Sequence, residues 1–141
     1  MNLLLRPESN EKGGEFNLKR IVFACEDDKG LNSEVSMHFG RCPYFLLVDI
    51  EEEEILKVSV IKNPYFENHV PGKVPQFIKE RDAHVMIAGG MGHRAVELFN
   101  NYGIEVATGA GGKVEDVLKE YLAGRLKGVS VCEHDHNGRC N

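Results

Sequence analysis

An unbroken run of five apolar residues, Ile21-Val22-Phe23-Ala24-Cys25, constrains this chain more than any other feature. A half-exposed strand alternates apolar and polar side chains. An unbroken run marks a strand covered on both faces, which requires a sheet with a layer on each side. Two further strands, Tyr44–Ile50 and Ile55–Ile61, flank the acidic link Glu51 to Glu54, which reads as a solvated hairpin turn. From Pro71 the period changes. Val74, Phe77 and Ile78 fall at helical spacing, and Val85 to Ala88 reads as a second buried strand. Ala95, Leu98, Phe99 and Tyr102 form one face of a second helix, ended by Gly103. Ile104 to Ala107 is a short strand, and Val114, Val117, Leu118, Tyr121 and Leu122 mark a third helix that stops near Gly124. The expected order is β-β-β-α-β-α-β-α, one α/β domain over residues 19–127. Residues 1–18 are aperiodic and read as a flexible extension. Residues 128–141 form a Cys/His-containing tail.

This order has a geometric consequence. Short links make the first three strands antiparallel, and the later crossovers make the last two parallel to the first. If the first strand points up, the loops at 25–43, 62–72, 89–93 and 108–113 all gather at the upper end. Ligands of open α/β sheets bind beyond the carboxyl ends of the strands, where strand order reverses. His38, His69 and His93 fall in these loops, and His84 falls at the foot. The third helix points down, so the tail is expected to begin at the end opposite His38.

Composition excludes several functions. A chain of 141 residues supports one ordinary core. Its net charge of −5 argues against a general nucleic-acid binder, which needs a basic face. No apolar run approaches the roughly 20 residues that span a bilayer. Met1 to Leu5 is too short for a signal-peptide core, so a cytoplasmic location is expected. In that compartment the four cysteines read as ligands or core residues before disulfides.

Three segments carry chemistry. Ser36-Met37-His38-Phe39-Gly40-Arg41-Cys42-Pro43 gathers an imidazole, a guanidinium and a thiol just before a strand. Imidazole and thiolate are ligands of iron, zinc and copper, and arginine grips oxyanions. The plain alternative is that His38 and Phe39 plug the core while Arg41 is solvated. Ala88-Gly89-Gly90-Met91-Gly92-His93 joins a strand to a helix, where glycines admit a ligand to the backbone and a helix start offers N–H groups to an anion. It matches neither the dinucleotide fingerprint nor a P-loop. Thr108-Gly109-Ala110-Gly111-Gly112 repeats the arrangement on the same edge. In the tail, Cys132, His134 and His136 alternate and would share a face of an extended chain, with Cys140 as a fourth candidate. They fit a second, separable zinc or iron site, although the spacing matches no standard zinc finger. Cys25 reads as a small core residue. No nucleophile elbow or Ser-His-Asp set is present. A magnesium-dependent nuclease would need carboxylates converging from the sheet, and the centre of the first strand, Val22-Phe23-Ala24, has none.

His38-Phe39-Gly40-Arg41, Tyr44-Phe45-Leu46-Leu47-Val48-Asp49, Asn63-Pro64 and Gly89-Gly90-Met91-Gly92-His93-Arg94-Ala95 resemble the nitrogenase iron–molybdenum cofactor biosynthesis family, which includes the NifX type and the C-terminal module of NifB. The resemblance covers roughly residues 20–127. It implies a ribonuclease-H-like α/β fold, a five-stranded mixed sheet in the order 3-2-1-4-5 with helices on both faces. It also implies a protein that carries or donates metal–sulfur clusters and is not itself an enzyme. His38 and Arg41 match the family's His-Phe-Gly-Arg motif, which implies that they belong to a cluster site, together with the turn Gly89, Gly90 and Gly92. The implied cargo is an iron–sulfur or iron–molybdenum type cluster, and the implied partners are cluster donor or acceptor proteins. A zinc-stabilised protein-interaction module, with the tail holding the metal, is the competing reading.

Overall fold

The computed structural model describes residues 18–68, 70 and 72–126. Strands β1 (Leu18–Cys25), β2 (Tyr44–Glu51), β3 (Glu54–Lys62), β4 (Val85–Ile87) and β5 (Glu105–Ala107) form one sheet in the order β3-β2-β1-β4-β5. β1–β2 and β2–β3 are antiparallel, whereas β1–β4 and β4–β5 are parallel. Helices α1 (Lys73–Lys79), α2 (His93–Tyr102) and α3 (Val114–Leu122) complete the domain.

The unbroken run in β1 is buried on both sides, as its composition requires. Val22 and Ala24 pack with Val74 and Ile78 of α1 and Val96 and Phe99 of α2. Ile21, Phe23 and Cys25 pack with Val114, Val117 and Leu118 of α3. On α2 the buried positions are Val96 and Phe99, with Leu98 only half-buried, so the inward stripe lies slightly off the expected one. β3 is an edge strand. Ile55, Leu56, Val58 and Val60 stay 37–43% exposed, because no described helix covers that end of the sheet. The acidic link is a hairpin turn with Glu52 and Glu53 at φ 48 and 70. Both sit in the left-handed region that two-residue hairpins demand and that glycine or asparagine fills more cheaply.

The foot of the sheet is locked by side chains. Arg20 donates from Nε to Asp49 Oδ1 at 2.7 Å and from Nη2 to Oδ2 at 3.0 Å, and its Nη1 donates to the Arg81 carbonyl at 2.7 Å. His84 accepts the Arg20 N–H at Nδ1, 2.8 Å away, while its own N–H donates to the Arg20 carbonyl. His84 therefore ties β1 to the start of β4. No helix among the described residues is long and apolar enough to cross a membrane.

Candidate functional site

The upper rim is stitched through the backbone. The segment after β1 folds back so that Ser36 N–H donates to the Ala24 carbonyl at 2.7 Å. Val35 N–H then reaches Gly112 O at 2.9 Å, and Val114 N–H reaches Ser33 O at 2.9 Å, which joins this segment to the loop before α3. Gly89 N–H donates to Ser36 O at 2.8 Å, Phe39 N–H donates to Gly90 O at 3.2 Å, and Gly109 N–H donates to Gly89 O at 3.0 Å. The two glycine loops and the His38 segment are thus one continuous edge. Asp27 serves this edge structurally: its carboxylate accepts the N–H groups of Lys29 (3.2 Å) and Glu34 (3.4 Å).

His38 and Arg41 flank a single 3-10 turn, Phe39–Arg41. Phe39 is its anchor, buried edge-on against Phe99 with centroids 5.3 Å apart and tilted against Phe45 at 6.1 Å. With the ring pinned inward, His38 and Arg41 are left exposed. The alternative in which His38 and Phe39 both plug the core holds for Phe39 alone. Gly89 matters because it lacks a side chain. A Cβ there would lie 2.6 Å from Met37 Sδ, 2.8 Å from Met37 Cα and 3.1 Å from the Ala110 carbonyl. Its N–H is already bonded to Ser36. Of the donors of this turn, that of Gly89 is therefore already used within the fold. Gly92 caps α2 in an extended conformation, and the first intrahelical bond runs from Val96 N–H to Gly92 O at 3.1 Å. The N–H groups before Val96 have no acceptor inside the helix. His93 and Arg94 are exposed at the same helix start.

Two residues that the sequence reading quoted only as members of motifs have structural roles at the rim. Met37 is 56% exposed and lies across Gly89; a methionine beside a histidine carries no pattern that marks it in advance. Asn63 is buried and acts as a clasp. Its Nδ2 donates to Cys42 O at 2.8 Å, its Oδ1 accepts the Tyr65 N–H at 2.9 Å, and its N–H donates to Pro43 O at 2.9 Å. Asn-Pro after a strand is a turn signal, and here that turn holds the segment following Arg41. Cys25 and Cys42 are both buried. Burial, with Asp27 and Glu26 nearby, pushes the Cys25 thiol up to about 12, and burial pushes Cys42 up as well. Thiols this hard to ionise are core residues, since the thiolate is the ligand. Among the described residues no group of three or more His, Cys, Asp or Glu side chains is assembled to hold a metal ion. His69, Cys132, His134, His136 and Cys140 lie outside the described residues.

Comparison with known proteins identifies the family. The chain is 44% identical to PH0822, whose crystal structure superposes with a TM-score of 0.69 over 77% of this chain and 94% of that one. TM1290 from Thermotoga, described as a proposed NifB protein, is 30% identical, with a TM-score of 0.65 over 77% of this chain and 91% of its own. The protein MJ0580 of Methanocaldococcus jannaschii is 30% identical over 98 residues, 68% of this chain and 83% of its own length. Residues 19–124 match the family described as dinitrogenase iron–molybdenum cofactor. This chain belongs to the dinitrogenase iron–molybdenum cofactor family.

Proposed function

We propose that this protein binds an iron–sulfur or mixed-metal cluster of iron–molybdenum type, or its precursor, at the glycine rim. It carries that cargo between a donor and an acceptor protein and catalyses no reaction of its own. The family is associated with iron–molybdenum cofactor, and the NifB description of TM1290 points the same way. The observation that carries the reading is the bond from Phe39 N–H to Gly90 O, which sets the exposed His38 beside the glycine turn.

The donor chemistry fits such a cargo. Neutral His38 supplies a nitrogen to the metal. Arg41 and the start of α2 offset the negative charge of a sulfide cluster, as hydrogen bonds to cluster sulfurs do. The ribonuclease-H-like class, the 19–127 domain and a cytoplasmic location belong to the same reading. A metal-dependent nuclease finds no support, because the Asp27 carboxylate is engaged with backbone N–H groups and β1 carries no acid at its centre.

Anaerobic purification followed by iron, molybdenum, zinc and acid-labile sulfide analysis tests the proposal. Iron with sulfide and a visible absorption band, lost in His38→Ala, is expected. Zinc without sulfide, unchanged in His38→Ala, would instead favour the interaction-module reading.

A further inference from the structure

The two edges of the sheet differ sharply. β5 has three residues, of which Val106 and Ala107 are buried. β3 has nine, and no described strand pairs with its outer side. Free N–H and C=O groups along a long edge are a template for another strand.

The side chains of β3 add to this. Val58 and Val60 lie opposite Val48 and Leu46 of β2, which pack on the α3 side of the sheet. Cross-strand partners share a face, so the two valines lie on that side as well. Ile55 joins them through its partner Ile50. The irregularity between Asp49 and Ile50 gives Leu56 no partner in β2, and alternation from Val58 puts it on the same face. All four are exposed, whereas Ile61, on the opposite face, packs against the core.

The strand is also charged unequally along its length. Glu52, Glu53 and Glu54 stand exposed at its start and Lys62 at its end. A second copy laid alongside in the same direction sets acid against acid and lysine against lysine. An antiparallel copy crosses them. With a two-fold axis at Val58, Val58 meets Val58, Lys57 meets Ser59, Leu56 meets Val60, and the acidic hairpin meets Lys62. Symmetry makes each unlike pair twice. Edge lysines ward off pairing when they meet like charge. This register sets no lysine opposite another.

We propose that β3 is a self-complementary edge through which two copies of this chain join antiparallel, about an axis at Val58, into one continuous sheet. The copies run in opposite directions, so their glycine rims lie at opposite ends of that sheet and both stay open. The inference is independent of the cargo reading, and either can fail alone.

Sedimentation velocity of the full-length chain over a concentration series tests it, with backbone hydrogen exchange at the lowest and highest concentrations. A reversible monomer–dimer equilibrium is expected, with amides of residues 54–62 gaining protection as concentration rises. Val58→Lys sets two ammonium groups across the axis and weakens the dimer by about tenfold or more. Val58 is exposed, so the fold tolerates the change, and near-ultraviolet circular dichroism verifies it. Lys62→Glu weakens the dimer by about tenfold, an effect that shrinks as salt rises, and adding Glu53→Lys and Glu54→Lys restores it. A monomer at every concentration, a dimer indifferent to both variants, or open-ended polymers would overturn the inference. So would β3 amides protected equally in the monomer, since the edge would then already be covered.

Discussion

The two ends of the sheet each carry a histidine and an arginine, and the fold treats them in opposite ways. At the foot, His84 accepts a backbone N–H at Nδ1, and Arg20 is held by the Asp49 carboxylate and the Arg81 carbonyl. At the rim, the backbone makes the connections, through Ser36, Phe39, Gly89, Gly90, Gly109 and Gly112. His38 and Arg41 are left exposed, and among the described residues neither side chain has a hydrogen-bond partner. When backbone and glycine do the structural work, side chains are released for a ligand. When side chains do it, they are consumed. Substitutions of the foot side chains should therefore cost stability and spare binding, and those of His38 and Arg41 at the rim the reverse.

The largest effect is expected at the foot. Asp49→Ala leaves the Arg20 guanidinium, 28% exposed, without its carboxylate. Breaking a partly buried, bidentate pair this way costs about 2 kcal/mol, below the range for fully buried pairs. Urea denaturation should show it, with iron–sulfide binding by the folded fraction unchanged. A comparable loss of binding would erase the distinction between the ends. Gly89→Ala is the sharpest probe of the rim, because there structure and site meet. The added methyl overlaps Met37 and crowds Ala110 O. Overpacking of this kind costs about 1–3 kcal/mol, and the displaced Met37–His38 segment should lower cluster affinity as well.

The buried thiols give a pH signature. Cys25 is raised from 9.0 to about 12, and Cys42 is raised too. The unfolded chain can ionise them where the folded chain cannot. Their neutral burial is fully compatible with stability below pH 9, and stability falls as pH rises from 9 toward 12. An alkaline unfolding series should show this decline, and Cys25→Ala should flatten it. A smaller gain is expected at the hairpin: replacing Glu52-Glu53 by Asn-Gly relieves two left-handed residues at φ 48 and 70 and should add ~1 kcal/mol. It sits at the foot end of β2 and β3, so binding should not change.

Strand order and pairing were legible because they follow from period and link length. An unbroken apolar run needs two covered faces, and short links need antiparallel neighbours. The meeting of His38 with the first glycine turn was legible for the same reason, as a consequence of which strands run upward. What stayed hidden depends on single atoms and local reversals. Arg20 and Asp49 are 29 residues apart, and only the β1–β2 register sets them opposite each other. The role of Gly89 could not be separated from that of Gly90, since close approach by Met37 leaves no periodic mark. The reversal after α3 was hidden as well: Gly124 was read only as a helix stop, whereas its N–H bonds Tyr121 O and the Arg125 N–H bonds Glu120 O, which turns the chain back on the helix.

The central claim, that cargo binds at the rim and not the foot, is tested most directly by amide NMR of the ¹⁵N-labelled chain before and after anaerobic loading with iron and sulfide. A paramagnetic cluster broadens nearby resonances. Residues 36–41, 89–92 and 109–112 are expected to lose intensity, while Arg20, Asp49 and His84 keep theirs. Loss at the foot with an unperturbed rim would contradict the account.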